Sequence, residues 1–488
     1  MSKALMVLGT TSDAGKSLTV AALCRIYSNR GYKVAPFKAQ NMGSNTFITK
    51  GDFEISRAQA VQAEAARIEA DFRMNPVLLK PMGDSKSQVV VNGSHYKDLS
   101  AQDYYEEKEK IFPQVLASYR ALEEDYDIIF LEGAGSPSEI NLKEVDIVNM
   151  GLAKALGVPC IIVGDIDKGG VFASLAGTLL LFDEEERELT KGVLINKFRG
   201  DQSILDPGLR QLEDIIQKPV LGVVPYLDVD IEDEDSLAQR MKVKDPKKAL
   251  DIAVIRLPHI GNFTDTHVFS LHDLASVRYI HRARDFGQPD LVIIPGSQNL
   301  EEDLLWLRES GLDAKLKNAR DKGCPIVALG KGYPILAKTI QAEKKLQGLG
   351  LLDLDLSIEE KNKTWKREGV LDLKEGPWKK LDQLKVQGYW QEKIESHLGS
   401  SAQAINLSGE TIGAVKGNVL GVSCHGFFDN REVHQALMEV LAKKKGLDLK
   451  PGEDIDLAAY KDQQYEKLAR GVEASLDMDL LDQILGLK

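Results

Sequence analysis

The sequence predicts an α/β protein: a parallel-sheet unit carrying a phosphate-binding loop, followed by a second α/β unit. Three observations predict it. Short β-branched runs alternate with helical stretches through the first half of the chain, the rhythm of strand–helix–strand units on a parallel sheet. A glycine-rich turn ending in Lys16 and Ser17 follows the first strand and opens the first helix, the setting in which such a turn cradles phosphate. An acidic, polar break at 228–248 separates this series from a second one.

The elements follow in order. The first strand is expected at Ala4–Leu8, with a helix from about Lys16, then a strand at Lys33–Phe37 and a helix from about Ser56. Helices from about Asp103 and Asp146 flank the strand Asp127–Leu131, and Pro159–Gly164, Gly192–Asn196 and Val220–Val224 complete the series. Each strand is a short apolar run, as expected for a sheet covered on both faces. In Asp228–Ser236 six of nine residues are acidic, and Lys242–Lys248 is polar with a proline, which places a domain boundary near 240–250. The second series is Ile252–Arg256, Leu291–Ile294, Pro325–Leu329, Thr411–Val415 and Val419–Ser423. Beyond about Lys443 a helical period returns in Leu457–Leu468 and Leu480–Leu485, giving units of 1–240 and 250–443 and a helical tail at 444–488.

Composition narrows the class. The 488 residues are 43% hydrophobic and 28% charged, the balance of an ordinary globular enzyme. A net charge of −12 with no basic patch argues against a nucleic-acid binder. The four cysteines, Cys24, Cys160, Cys324 and Cys424, are widely spaced and form neither a zinc pattern nor a disulfide framework, in keeping with a reducing cytoplasm. The first residues lack a signal-peptide pattern, and no apolar run reaches the roughly 18–20 residues that span a bilayer, so no membrane is expected.

Gly9–Ser17 reads GTTSDAGKS. Gly9 and Gly15 let the backbone curl so that the loop's N–H groups face phosphate oxygens, with Thr10, Thr11 and Asp13 between them also expected at the nucleotide, and the helix N-terminus adds positive potential. Lys16 is placed to reach the outer phosphates and Ser17 to bind Mg²⁺. Five residues rather than four separate Gly9 from Gly15, so the loop is a variant. Glu132, just past the strand 127–131, is the expected carboxylate on the metal. Asp165 and Asp167 stand one strand later, at the edge where ligands of parallel sheets bind, and Asp165 is expected as a further metal ligand beside Ser17 and Glu132.

These motifs, with Pro36–Asn41 (PFKAQN), Met74–Pro81 (MNPVLLKP), Glu132–Asn141 (EGAGSPSEIN), Asp165–Ala173 (DIDKGGVFA), Ile195–Asp201 (INKFRGD), Ile252–Asp265 (IAVIRLPHIGNFTD), Ile294–Asn299 (IPGSQN) and Cys424–Asn430 (CHGFFDN), resemble the cobyric acid synthase family in order and wording over nearly the whole chain. The resemblance implies a synthetase domain similar to dethiobiotin synthetase, followed by a flavodoxin-like class I glutamine amidotransferase domain. It implies ATP- and Mg²⁺-dependent amidation of corrin side chains, from adenosylcobyrinic acid a,c-diamide to adenosylcobyric acid, four carboxylates in turn. In the matching motifs Lys38, Asn196 and Lys197 are expected at the nucleotide. Gln40, Asn41, Arg57, Asn75, Lys80, Asn141 and Arg199 are expected at the substrate.

One motif departs from the family. Where the family reads like GICGGYQ, this chain reads Gly330-Lys-Gly-Tyr-Pro-Ile335 after the strand 325–329, so Gly330 stands at the position of the cysteine nucleophile. A glycine cannot form the covalent intermediate. Lys331 and Pro334 replace the following glycine and the glutamine. His425 matches the family's general base but has no thiol to deprotonate, and His397 resembles the family's EIHMG histidine. Cys324 is too far along the strand, and Cys424, adjacent to His425, is expected on the opposite face.

The resulting expectation is a cobyric acid synthase-like ligase with a small-molecule corrinoid substrate, whose nitrogen comes from ammonia or from a separate glutaminase; self-association stays open. If only the nucleophile is lost, Gly330→Cys revives some glutaminase activity. The alternatives are a non-catalytic corrinoid- or nucleotide-binding paralogue and an amidoligase acting on another tetrapyrrole polycarboxylate.

Overall fold

The computed structural model describes residues 2–43, 45–82, 86–232, 248–359, 365–373, 378–447 and 455–488. The chain forms two compact units, residues 1–235 with 461–488 and residues 236–460. The boundary expected near 240–250 falls largely on 233–247, outside the described residues, as do the last four residues of the acidic run 228–236.

In the first unit, β1 (Lys3–Gly9), β2 (Val34–Phe37), β3 (Ile128–Glu132), β4 (Cys160–Asp165), β5 (Thr190–Phe198) and β6 (Val220–Pro225) form a parallel sheet in the order β2-β3-β1-β4-β5-β6. Side chains alternate between its faces. Leu5, Val7, Ile128, Phe130, Ile161 and Val163 enter one core, while Met6, Leu8, Ile129, Leu131, Cys160 and Ile162 enter the other. The chain passes from β1 to β2 on one side and from β3 to β4 on the other. The crevice of this switch point therefore opens at the C-terminal ends of β1 and β3.

The first core is completed from far along the chain. Tyr465, Leu468, Ala469 and Val472 of the helix Leu457–Glu473 pack into it. Tyr27 Oη donates to Asp482 Oδ1 at 2.7 Å, and the buried Arg25 pairs with Asp462 at 2.7 Å. The helix expected from Asp146 starts instead at Met150. The Asp146 carboxylate accepts the N–H groups of Val148, Asn149 and Gly151, holding a turn ahead of the helix. A small sheet of Gln40–Met42, Val77–Met82, Lys86–Val91 and Ser94–Ser100 has no counterpart in the sequence reading.

In the second unit, β7 (Leu250–Ile255), β8 (Ala275–Ile280), β9 (Leu291–Ile294), β10 (Ile326–Leu329) and β11 (Val419–Val422) are parallel, in the order β8-β7-β9-β10-β11. The strand Glu410–Lys416 forms an antiparallel hairpin with β11, and the sheet continues antiparallel through Gln403–Leu407, Trp365–Asp372 and Lys385–Trp390. Ile252 and Val254 face one core, and Ala253 and Ile255 the other. No helix among the described residues is long and apolar enough to cross a membrane.

Candidate active sites of the two units

The loop after β1 closes because Gly15 adopts φ +102°, a left-handed conformation, and hands the chain directly to α1 (Lys16–Asn29). A Cβ at Gly15 would lie 2.0 Å from Asn196 Nδ2, which in turn donates to Ala14 O at 3.0 Å. The loop thus has no room for a side chain on that side. Thr10 donates its N–H to Val163 O, and the Thr11 carbonyl accepts the Ala14 N–H across the short turn Ser12–Ala14. Lys16 Nζ, buried, bridges Thr11 O, Ser12 O and Gly135 O at 2.8, 3.0 and 3.1 Å.

At the foot of the loop lies one carboxylate. Glu132, 1% exposed at the end of β3, accepts from Ser17 Oγ at 2.8 Å and Gln62 Nε2 at 2.5 Å and pairs with Lys38 Nζ at 2.9 Å. Burial works to raise its pKa, but the Lys38 charge and these hydrogen bonds prevail and hold it below the ordinary glutamate value. Glu132 is therefore an anion beside a hydroxyl. Mg²⁺ takes one or two carboxylates with hydroxyl, phosphate and water oxygens, so Ser17 and Glu132 fit it. The described residues contain no cluster of three acidic, histidine or cysteine side chains, so this pair is not part of a closed metal cage.

Asp165 sits at the next strand end, held by Lys197 Nζ at 2.9 Å and by the Asp167 N–H. Lys197 has φ +62°, an unusual conformation for lysine, and its Nζ also donates to Asp13 O at 2.6 Å. It braces the phosphate loop from outside, while Asp13 pairs with Lys168 at 3.0 Å.

A cleft of about 490 Å³ opens over the loop. Lys16, Ser17, Lys38, Gln40, Asn41 and Glu132 line it, and so does Lys108, which the sequence reading missed. Arg57, Asn75, Lys80, Asn141, Asp165, Asn196, Lys197 and Arg199 are not in its lining. Asn75 is buried, with its amide bonded to Lys38 O, Val77 O and Ser56 N. Arg57 pairs with Glu232 at 2.7 Å and Lys80 with Glu54 at 2.9 Å. Asn141 is exposed, its carbonyl accepting from Tyr105 Oη. Arg199 pairs with Asp167 at 3.2 Å and lies 3.6 Å from the centre of the Tyr226 ring.

In the second unit the turn Gly330–Leu336 follows β10, with Gly330 at φ +53°. His425 stands against it. A Cβ at Gly330 would lie 2.0 Å from His425 Nε2 and 2.1 Å from Cε1. The imidazole thus fills the space that a nucleophile's side chain requires. His425 Nδ1 is 2.8 Å from Asp265 Oδ2, Asp265 Oδ1 accepts the Gly426 N–H, and Tyr389 packs beside the ring. Nε2 is buried with no hydrogen-bond partner among the described residues. Asp265 closes the quoted motif IGNFTD, but nothing in its spacing ties it to a histidine 160 residues later.

Lys331 pairs with Glu392 at 2.6 Å, and exposed His397 lies on the strand Lys393–Leu398, near Ser357 Oγ at 3.3 Å. The four thiols are buried and unbonded to one another. Burial pushes Cys424 far above the usual thiol range and Cys324 up to about 11. Neither is the thiolate that nucleophilic attack needs.

The residues 251–433 match the family described as a CobB/CobQ-like glutamine amidotransferase domain, and residues 5–237 match a CobQ/CobB/MinD/ParA nucleotide binding domain. The chain is 44% identical to the cobyric acid synthase of Ruminiclostridium cellulolyticum, over 99% of this chain and 97% of that one. It is also 44% identical to those of Lachnoclostridium phytofermentans (99% of both chains) and Listeria monocytogenes (99% and 97%). With a phosphate loop in one unit, an amidotransferase elbow in the other and this likeness from end to end, the chain belongs to the cobyric acid synthase family.

Proposed function

We propose that the chain amidates corrin side-chain carboxylates with ATP, taking adenosylcobyrinic acid a,c-diamide to adenosylcobyric acid, and that its nitrogen is free ammonia or comes from a glutaminase on another chain. The observation that carries the amidation is the ionised Glu132 between Ser17 and Lys38 under the phosphate loop. Ser17 and Glu132 would hold Mg²⁺, which would supply positive charge against the nucleotide phosphates. Lys16 exchanges three backbone carbonyls for phosphate oxygens. Lys38, already ion-paired, keeps Glu132 deprotonated, and Asp165 positions Lys197 against the loop.

A carboxylate resists attack by ammonia until a phosphoryl group gives it a leaving group, which is the work this cleft is suited to. The nitrogen source follows from Gly330, where glutamine hydrolysis has no nucleophile.

The test measures corrinoid- and ATP-dependent amidation with ammonium and with ammonia-free glutamine. Turnover is expected with ammonium alone. Equal turnover with glutamine overturns the nitrogen assignment, and no corrinoid-dependent ADP release with either donor overturns the amidation.

A further inference from the structure

The lysines of the cleft are not equivalent. Lys16 is bonded to three carbonyls, Lys38 is paired with Glu132, and Lys143 is paired with Glu186 at 2.7 Å. Lys108 alone has no carboxylate within ion-pair reach and no hydrogen bond among the described residues. It stands on the helix Ala101–Glu123, one turn beyond Tyr104 and Tyr105, with Nζ 5.9 and 5.1 Å from their ring centres. Residues at these spacings share a helix face, and the rings hold the ammonium partly out of water. Tyr104 Oη donates to Gln40 Oε1 at 2.6 Å, tying this face to another part of the cleft lining.

Burial lowers the Lys108 pKa, and Asp146 returns part of the shift by charge attraction alone, since both its oxygens are taken by backbone N–H groups. A half-desolvated cation that has ring faces beside it but no carboxylate in contact gains most when an anion arrives. Two further lining residues, Met42 and Leu142, are 56% and 37% exposed. Apolar side chains beside an unpaired ammonium suit a broad apolar ring that carries carboxylate arms. Nucleotide phosphates already have the loop's N–H groups and Lys16.

We propose that Lys108 binds a carboxylate arm of the corrinoid and so positions the ring over the phosphate loop. This rests on the function proposed above. The test titrates adenosylcobyrinic acid a,c-diamide into the full chain and measures KM for corrinoid and for ATP in ammonium-supported turnover.

Lys108→Gln is expected to weaken corrinoid binding and raise corrinoid KM about 10-fold or more, with ATP KM changed by less than about twofold. Lys108→Arg keeps the charge and is expected to stay within about threefold of the native chain. Unchanged corrinoid affinity in Lys108→Gln overturns the inference, as does a parallel rise in ATP KM. Failure of the native chain to bind the corrinoid defeats the proposed function and this inference with it, whereas native binding that Lys108→Gln leaves intact defeats this inference alone.

Discussion

Restoring a thiol by Gly330→Cys is expected not to restore glutamine hydrolysis, because the nucleophile's place is filled as well as its sulfur missing. The new Cβ would meet His425 Nε2 at 2.0 Å and Cδ2 at 2.7 Å, where non-bonded heavy atoms prefer about 3.5–4.0 Å. The ring has to retreat by about 1.5 Å to reach the near edge of that range. It is held by Asp265 at 2.8 Å, by backbone pairing of His425 with Tyr389, and by Gly296, where a Cβ would lie only 2.9 Å from Cε1.

Breaking the buried bond to Asp265 costs about 1–3 kcal/mol. A side chain at φ +53° costs about 1–2 kcal/mol more. Together these destabilise by about 2–5 kcal/mol, which for a unit of this size lowers the melting temperature by about 4–20 °C. The assay pairs calorimetry with glutamate release from glutamine, and Gly330→Ala serves as a steric control expected to lose the same stability. A Gly330→Cys variant that melts like the native chain and hydrolyses glutamine, with alkylation abolishing the activity, would refute the reasoning.

Lys16→Met is expected to lower ATP-dependent turnover about 100-fold or more by removing the cation from the loop, measured as ADP release. Glu132→Gln leaves Lys38 buried without its partner and is expected to destabilise the first unit by about 3–5 kcal/mol near neutral pH, read by denaturant melts. Since the folded Glu132 pKa lies below the ordinary value, its stabilisation is complete above the unfolded glutamate pKa of about 4.3 and is lost as pH falls through the lower folded value. The difference between native and Glu132→Gln melts is therefore expected to be flat from neutral pH down to about 5 and to shrink below about 4. All four thiols are expected to resist alkylation in the native chain and to react together on unfolding; a single fast-reacting cysteine would contradict their burial.

The sequence shows the phosphate loop because its chemistry is local: strand, glycine turn, Lys16, Ser17 and helix lie within one stretch. It shows the end of β3 for the same reason, so Glu132 is found. Strand β8 reads Ala-Ser-Val-Arg-Tyr-Ile, too mixed to stand out, and becomes a strand by pairing with β7. Asp265 and Lys108 each look like solvated charges until the fold places one against His425 and the other in the cleft. The close approach of the His425 ring to Gly330 is invisible to spacing altogether, because it depends on where a ring turns and not on which residue is present.

The return of residues 461–488 to the first unit governs how that unit can be made. During synthesis the surface that receives Tyr465, Leu468 and Val472 stays bare while residues 236–460 emerge, so the synthetase half completes its core after the amidotransferase half has been translated. Expressing 1–235 alone would leave an open apolar face and strip Tyr27 and Arg25 of Asp482 and Asp462. A soluble, catalytically testable synthetase fragment requires 461–488 spliced back through a short linker in place of the intervening unit.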